Sequence, residues 1–327
     1  IPVFGPGRAA AAIEGSKAFA KRVMESAGVP TGAAVRAGTL AEAEAALDSI
    51  GAPYVVKADG LAAGKGVLVT PDREAALAHA AFWLQHGEVL VEEFLSGPEV
   101  SFFVLSDGAN VVPLGAAQDF KRIGDGDTGP NTGGMGAYSP VPWLPAGFEE
   151  EVVERIALPT VRRLAAEQTP FIGVLFCGLV LTEAGVRVIE FNARFGDPET
   201  QVLLARLASP LSELLLAAAT GRLSSVPRPA FVDDVAITVV LASEGYPEAP
   251  VTGRALTGLD AARDVSIAHA ATARTPDGGT VATGGRVLSV VATAPDFAEA
   301  RARAYAALEA IGLEGGQYRR DIAERVS

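Results

Sequence analysis

Residues 55–67 read VVKADGLAAGKGV, and this stretch does most to decide the fold. The valines at either end predict two short strands, and the segment between them consists mainly of glycine and alanine. Glycines allow several backbone N–H groups to point into one concavity and bind an anion, while Lys57 and Lys65 supply positive charge. A Walker loop is excluded, because its lysine would have to stand where the chain has Gly66. A glycine-rich hairpin turn with solvated lysines is the alternative interpretation.

A strand with a polar end is predicted at residues 91–99, which read VEEFLSGPE. At the end of an edge strand, the backbone of Phe94 and Leu95 can offer a carbonyl and an amide to the edge of adenine. An acid a few residues further on, here Glu99, can accept hydrogen bonds from both ribose hydroxyls. The paired glutamates in this stretch are otherwise typical of a solvated face. Taken alone, the motif leaves both interpretations open.

Residues 188–199 read VIEFNARFGDPE and suggest a metal and phosphate site. Glu190 and Asn192 are two apart on a predicted strand, so both side chains project from the same face. Two neighbouring oxygen donors suit Mg²⁺, which takes few protein ligands and completes its shell with water and phosphate oxygens. Arg194 shares that face and is a bidentate partner for phosphate. A salt bridge between Glu190 and Arg194 is the alternative, but it does not explain Asn192.

The segment 118–140 is rich in glycine and shows no periodicity. A long segment of this kind inside a compact domain predicts a functional loop without regular structure. It carries two cations, Lys121 and Arg122, and acids at positions 119, 125 and 127, which together could bind a small polar substrate. Asp125 and Asp127 also suggest calcium, but the EF-hand spacing with its closing glutamate is missing.

The composition predicts a soluble protein of two domains. The chain has 327 residues, of which 49% are hydrophobic and 20% charged, so disorder is not expected. A net charge of −12 argues against sequence-independent nucleic-acid binding, which depends on basic patches. The single Cys177 forbids an internal disulfide and is predicted to be inert core. No apolar stretch approaches the roughly 20 residues of a membrane span and no signal peptide is recognisable, so a cytoplasmic location is predicted.

The order of predicted elements indicates an α/β fold in two parts. A helix is predicted at 14–27 and another at 40–50, which Thr39 would cap with Glu42 three residues later, as in a capping box. A Ser/Pro-rich segment at 224–229 predicts a linker between the two parts.

Taken together, these residues resemble the phosphoribosylamine–glycine ligase family, also called glycinamide ribonucleotide synthetases, of the ATP-grasp superfamily. The resemblance extends over essentially the whole chain. The stretches that carry it are 14–17, 57–66, 129–137, 190–199 and 284–288. The third, which reads GPNTGGMGA, is the most specific to this family.

The resemblance implies an ATP-grasp fold at 1–223 with a lid subdomain at about 33–96, then a smaller C-terminal mixed α/β domain at 230–327. It implies ATP between two sheets under a flexible loop at 60–66, with Mg²⁺ or Mn²⁺ as the metal. Lys57 and Arg194 would be catalytic, and Glu190 and Asn192 would bind the metal. The residues implied for ATP are Lys17, Lys57, Gly64, Lys65, Gly66, Glu92, Glu93, Phe94, Leu95 and Glu99. Those implied for the substrates are Asp119, Lys121, Asn131, Thr132, Gly133, Gly134, Met135, Asp197, Pro198 and Glu199.

The reaction implied by the resemblance joins glycine to 5-phosphoribosylamine, while ATP becomes ADP and phosphate through a glycyl phosphate. It is a step of de novo purine biosynthesis, expected here of a monomer or homodimer that binds small molecules and neither nucleic acid nor membrane. Another ATP-grasp enzyme, such as a carboxylase or peptide ligase, is one alternative, against which residues 131–136 argue. The other alternative is a non-catalytic nucleotide-binding module. The presence of Lys57, Glu190, Asn192 and Arg194 argues against it.

The chain departs from the family's pattern at several points. It opens on the end of a strand without an initiator Met, so the family's N-terminal Rossmann-like domain is expected to be absent. A longer connection is expected in the family at 85–87, and Phe120 stands where the family usually has His. Many ATP-grasp enzymes place a further acidic metal ligand thirteen positions before the equivalent of Glu190. That position is Cys177 here, which leaves the number of protein-held metals open.

Overall fold

The computed structural model describes residues 1–60 and 66–327, so the candidate residues Gly64 and Lys65 and most of the predicted loop lie outside the described residues. The chain forms two compact units. Unit 1 consists of residues 1–115, 145–195 and 210–229, and unit 2 of residues 116–144, 196–209 and 230–327. The third segment of unit 2 begins at residue 230, directly after the predicted linker. The first two segments of unit 2 fall inside the predicted first domain.

Regular elements cover most of both units. The α-helices of the described residues are α1 Arg8–Gly15, α2 Lys17–Ala27, α3 Leu40–Ile50, α4 Arg73–Trp83, α5 Phe148–Val152, α6 Leu158–Ala166, α7 Glu199–Arg206, α8 Leu211–Ala219 and α9 Phe297–Ala310. Their strands are β1 Ala34–Ala37, β2 Tyr54–Ala58, β3 Val67–Thr70, β4 Val89–Glu92, β5 Glu99–Asp107, β6 Val111–Asp119, β7 Arg122–Gly124, β8 Thr128–Asn131, β9 Gly136–Ser139, β10 Ile172–Thr182, β11 Gly185–Asn192, β12 Val235–Ala242, β13 Ala255–Thr257, β14 Ser266–His269, β15 Thr272–Arg274, β16 Thr280–Ala282, β17 Arg286–Ala294 and β18 Gly312–Leu313.

The predicted lid is a four-stranded antiparallel sheet in unit 1, which we call the lid sheet. Its strand order is β1-β4-β2-β3, and α3 and α4 pack on it. Their small side chains, such as Ala43 and Ala76, lie with Val56 in one buried core. The predicted capping box of α3 is confirmed: Thr39 Oγ1 accepts from the Glu42 N–H, and the Glu42 carboxylate accepts from the Thr39 N–H. Strand β2, which precedes the glycine-rich segment in the sequence, is therefore supported by a packed core.

The remainder of unit 1 contains the antiparallel strands β11, β10 and β5, with β10 in the middle. The sequence predicts a hairpin of two strands, 173–181 and 186–191, about Ala184-Gly185, and the structure confirms it as the turn between β10 and β11. The helix predicted at 14–27 is confirmed from Lys17 to Ala27, but its start is wrong, because the chain is extended at Ser16 (φ −138°, ψ 116°) and residues 14 and 15 end the preceding helix α1. The Ser16 hydroxyl accepts from the Phe19 N–H and so caps α2.

In unit 2, β12 pairs with β9 and β17, and β14 pairs with β17, all antiparallel. Helices α7 and α9 pack on β12 and β17. The expectation that 118–140 lacks regular structure is wrong: the segment forms the short strands β7, β8 and β9. In the part of the chain that the structure describes, no helix is both long and apolar enough to cross a bilayer.

Candidate active site

Two lysines share one carboxylate on the lid sheet. Lys57 on β2 and Glu92 at the end of β4 are both buried, and Lys57 Nζ lies 3.0 Å from Glu92 Oε2. Lys21 on α2 places its Nζ 3.0 Å from the same oxygen. Burial lowers the pKa of Lys21, and Glu92 opposes that shift. Two ammonium groups against one carboxylate leave a surplus positive charge, which favours an anionic ligand.

Lys17 belongs to the same cluster. It lies one helical turn before Lys21 on α2, so the two side chains project from one face. Its Nζ donates to the carbonyl of Gly60 at 2.9 Å, at the start of the predicted phosphate loop. Burial lowers the pKa of Lys17, while the charge of Glu190 raises it and that of Lys57 lowers it further. Lys17 therefore lies in the field of both the lid sheet and β11.

Hydrogen bonds fix this cluster in place. Lys21 Nζ also donates to Thr31 Oγ1 at 2.9 Å and to the carbonyl of Gly32 at 3.0 Å. Lys57 Nζ lies 3.3 Å from the carbonyl of Ile189, which joins the lid sheet to β11. Lys21 is a residue that the sequence interpretation missed. Its spacing of four from Lys17 is the only signal in the sequence, since its partner Glu92 is far along the chain.

The start of α2 is tied to the end of β2 through Asp59. One oxygen of the Asp59 carboxylate accepts from the Ser16 hydroxyl at 3.0 Å, and the other accepts from the Ala18 N–H at 3.2 Å. Because an acid at a helix N-terminus also meets the positive end of the helix dipole, this contact stabilises the junction. It sets the position of Lys17 relative to the predicted phosphate loop.

Glu190, Asn192 and Arg194 lie at the end of β11, as predicted. The alternative salt bridge between Glu190 and Arg194 is not formed in the described residues, because Arg194 Nε donates to Glu14 Oε1 at 2.9 Å. The second oxygen of Glu14 accepts from the Ala193 N–H at 2.9 Å. Within the described part of the chain, the Glu190 carboxylate has no hydrogen-bond or ion-pair partner, although its charge acts on Lys17. A half-buried, unpaired carboxylate two residues from a buried amide oxygen fits a divalent cation.

The strand beside β11 offers no further metal ligand on this face. Gly178 on β10 lies opposite Glu190, and a Cβ at Gly178 would lie 3.2 Å from Glu190 Cγ. Phe176 lies opposite Asn192, whereas Cys177 lies opposite Phe191 and so faces the other side of the sheet. Burial strongly raises the pKa of the Cys177 thiol, as expected for inert core. Among the residues described, no group of three acids, histidines or cysteines is arranged to hold a metal.

The candidate residues for adenine and ribose follow β4. The Glu93 backbone N–H donates to the carbonyl of Ala33 at 2.8 Å, and its carboxylate accepts from the Ala33 N–H at 3.0 Å. Phe94 is exposed, Leu95 is half-buried, and Glu99 is exposed at the start of β5. The side chain of Glu93 thus stabilises the turn beside the candidate nucleotide position, while the exposed residues remain accessible.

Close packing explains the glycines of the stretch 129–137. A Cβ at Gly134, where φ is +111°, would collide with the ring of Pro198. A Cβ at Gly136 would lie 2.6 Å from the carbonyl oxygen of Thr238 on β12. Gly133 donates its N–H to the Tyr246 hydroxyl at 2.9 Å. The loop therefore lies directly against three other segments of unit 2, which only glycine permits.

The acids of the glycine-rich segment hold the C-terminal part of unit 2. The Asp127 carboxylate lies 2.7 Å from Arg319 Nη1, and Asp125 accepts from the Arg320 N–H at 2.7 Å. Arg319 is buried, and its guanidinium lies 4.8 Å from the centre of the Phe120 ring. Asp125 and Asp127 therefore have structural partners, and since both also line a cavity with Asp119, a part in binding a small substrate stays a prediction. The contact with Arg319 explains why a phenylalanine suits position 120, because a guanidinium stacks well on an aromatic face.

All ten residues predicted to bind the substrates lie in unit 2. Asp119 lines a cavity of about 330 Å³ together with Tyr138 and Arg325. The hydroxyl of Thr132 donates to the carbonyl of Lys121 at 2.8 Å, which closes the loop. Four of the ten are buried, namely Gly134, Met135, Pro198 and Glu199. Met135 also pairs its N–H with Phe120 and its carbonyl with Val240, so it supports the loop by packing.

Comparisons with known proteins identify the family and the fold. The family described as phosphoribosylglycinamide synthetase, ATP-grasp (A) domain, matches residues 15–200, and its C domain matches residues 236–325. A phosphoribosylamine–glycine ligase of Leifsonia xyli is 69% identical over 99% of this chain and 79% of its own length. The crystal structure of a phosphoribosylamine–glycine ligase from Thermotoga maritima superposes with a TM-score of 0.90 at 37% identity, over 98% of this chain and 82% of that one. A biotin carboxylase domain from Hydrogenobacter thermophilus shares the fold alone, with a TM-score of 0.72 at 21% identity over 97% of this chain and 70% of that one.

The fold and the lysine-rich site define an ATP-grasp ligase. Within that class, the chain belongs to the phosphoribosylglycinamide synthetase family, as its sequence resemblance predicted. A purine-pathway carboxylase, a peptide ligase and a non-catalytic module are no longer needed as explanations.

Proposed function

We propose that the chain joins glycine to 5-phosphoribosylamine in two steps. A carboxylate oxygen of glycine attacks the γ-phosphorus of ATP, so that ADP leaves and glycyl phosphate forms. The amine of phosphoribosylamine then attacks the glycyl carbonyl carbon, phosphate leaves, and the nitrogen loses a proton to give glycinamide ribonucleotide. The observation that carries this proposal is the cluster of Lys17, Lys21 and Lys57 near an unpaired Glu190, in a chain of this family.

In this proposal Lys57 and Lys17 neutralise the phosphates, together with Gly64, Lys65 and Gly66. Phosphoryl transfer to a carboxylate depends on alignment and charge neutralisation more than on acid–base chemistry. Arg194 would stabilise the charge that develops on the transferred phosphoryl group. Its salt bridge to Glu14 leaves the guanidinium exposed but fixed in direction, which lowers the reorganisation needed during the reaction.

Glu190 and Asn192 would hold Mg²⁺ or Mn²⁺. When bound, such an ion neutralises phosphate oxygens and orients them. Since Phe176 and Gly178 add no ligand on this face, the protein would supply few donors and leave the remaining positions to phosphate and water. The charge of Glu190 also opposes the lowering of the pKa of Lys17 by burial, which favours the ammonium form beside the phosphates.

The remaining assignments follow the order of the chain. The end of β4 would hold adenine through Glu92, Glu93, Phe94 and Leu95, and Glu99 would hold the ribose. Glycine and phosphoribosylamine would bind to unit 2 through Asp119, Lys121, the 131–135 loop, Asp197, Pro198 and Glu199. We further propose a cytoplasmic enzyme that acts as a monomer or homodimer.

Release of ADP by the full-length protein tests the reaction. We expect release that requires both glycine and phosphoribosylamine, with neither D-alanine nor bicarbonate able to replace glycine. Activity with bicarbonate would identify a carboxylase, and activity with D-alanine would identify a peptide ligase. Nucleotide binding without turnover under all of these conditions would identify a non-catalytic module.

A further inference from the structure

Arg286, at the start of β17 in unit 2, is held by one nitrogen of its guanidinium. Nη1 donates to the carbonyl of Gly133 at 2.8 Å and to the carbonyl of Asp197 at 2.7 Å. These two bonds use both hydrogens of Nη1, and longer contacts of 3.3 Å to Asp197 Oδ1 and 3.4 Å to the Gly134 carbonyl lie beside them. Arg286 therefore joins the 131–135 loop to the turn before α7, two segments in which substrate-binding residues are predicted.

The opposite edge of the guanidinium is unused. No acceptor in the described residues lies within hydrogen-bond distance of Arg286 Nε or Nη2. This edge carries two parallel N–H groups, the arrangement that binds a carboxylate or a phosphate through both oxygens. The side chain as a whole is 23% exposed, so part of it is accessible to a ligand.

The plane of the guanidinium is also fixed. A Cβ at Gly133 would lie 3.0 Å from both Cζ and Nη2 of Arg286, so the group rests on the bare backbone of Gly133. Tyr246 supports the arrangement from behind, because its hydroxyl accepts from the Gly133 N–H and its ring packs against Gly285. A cation anchored on one edge and unpaired on the other is costly unless a ligand completes its hydrogen bonds.

We propose that the Nε and Nη2 edge of Arg286 binds the oxyanion of a substrate, either the carboxylate of glycine or the phosphate of phosphoribosylamine. The proposal rests on the proposed function, because it takes its ligands from that reaction. Asp197 balances the charge of Arg286 at a distance of 3.3 Å without occupying this edge. Arg286 is thus a substrate-binding residue of unit 2 in addition to those that the sequence predicts.

Steady-state kinetics of Arg286→Gln and Arg286→Lys in the full-length protein test this role. Loss of two hydrogen bonds to a charged group should raise the KM of one substrate about 10- to 100-fold in Arg286→Gln. The KM of ATP should not change, and Arg286→Lys should recover part of the loss, because lysine keeps the charge but not the fork. A rise confined to glycine assigns the carboxylate, and a rise confined to phosphoribosylamine assigns the phosphate.

Arg274→Gln is the matched control, since Arg274 is an exposed arginine on β15 of the same unit. It should leave all three KM values unchanged. Gly133→Ala keeps the arginine but displaces its guanidinium, so it should raise the same KM as Arg286→Gln, to a smaller extent. Its backbone is not left-handed, so alanine acts there through this contact.

An equal rise in every KM, or unchanged KM values with a lower melting temperature, would overturn the proposal and make Arg286 a structural brace. Failure of the proposed function is distinguishable from this result. In that case the wild-type protein itself would release no ADP with glycine and phosphoribosylamine, whatever residue stands at position 286.

Discussion

Replacing Glu92 with glutamine removes the negative charge from the two-lysine cluster with little change of shape. In the wild type, one carboxylate oxygen lies 3.0 Å from both Lys21 and Lys57, and only about 6% of the Glu92 and Lys57 side chains is exposed. The variant leaves two ammonium groups close together in a poorly solvated place. Breaking a buried ion pair from one side costs about 3–5 kcal/mol, so we expect the free energy of unfolding to fall by about 4 kcal/mol at pH 7.

The loss should depend on pH in a defined direction. Burial already lowers the pKa of Lys21 below the ordinary 10.5, and removal of Glu92 lowers it further. Between the lowered pKa and 10.5, the unfolded chain binds more protons than the folded one, so stability rises with pH. The difference between variant and wild type should therefore shrink as the pH approaches 10.5.

Denaturant unfolding at pH 7 and pH 9, with and without ATP, measures both effects. The phosphates of ATP supply negative charge to the same lysines, so ATP should stabilise the variant more than the wild type. Glu88→Gln is the matched control: Glu88 directly precedes β4 and forms a partly exposed ion pair with Arg36, so its effect should stay below about 1 kcal/mol and should not depend on ATP. A loss of less than 1 kcal/mol in Glu92→Gln, independent of pH and ATP, would refute the reasoning.

Further predictions concern the proposed roles and the response to acid. Glu190→Ala should abolish phosphoryl transfer while ATP still binds weakly, and wild-type turnover at ordinary Mg²⁺ concentrations would contradict its assignment to the metal. Lys57→Met should reduce both the rate and the nucleotide affinity, whereas Glu99→Ala should reduce mainly the nucleotide affinity. A lower rate at saturating ATP in Glu99→Ala than in Lys57→Met would contradict these roles. Arg22, with Arg163, lowers the pKa of Glu167 to about 2, so the stability that Glu167 contributes is lost as the pH falls from 4.5 to 2. Acid titration of Glu167→Gln should lack that part of the transition, and an unchanged curve would show that the arginine contacts do not act in solution.

Much of the fold could be predicted from local sequence. The Thr39 capping box, the hairpin about Ala184-Gly185 and the placement of Glu190 and Asn192 on one face all follow from interactions between residues close in the chain. Periodicity and turn chemistry encode such contacts directly, because the partners are separated by a few residues. The family resemblance added the candidate site residues, because its motifs are continuous stretches of sequence; their roles stay predictions.

Long-range pairing decided the rest. In the sequence, Lys21 is an ordinary cation of a helix, but in the structure β4 places Glu92 at 3.0 Å from it. Likewise, Glu14 is the partner of Arg194 because α1 lies beside β11. Cys177 occupies a metal-ligand position by its distance along the chain, yet the register of β10 turns it to the opposite face. A count along the sequence cannot determine these relations, because they depend on which strands pair, in what register, and on the packing of side chains that are far apart in the chain.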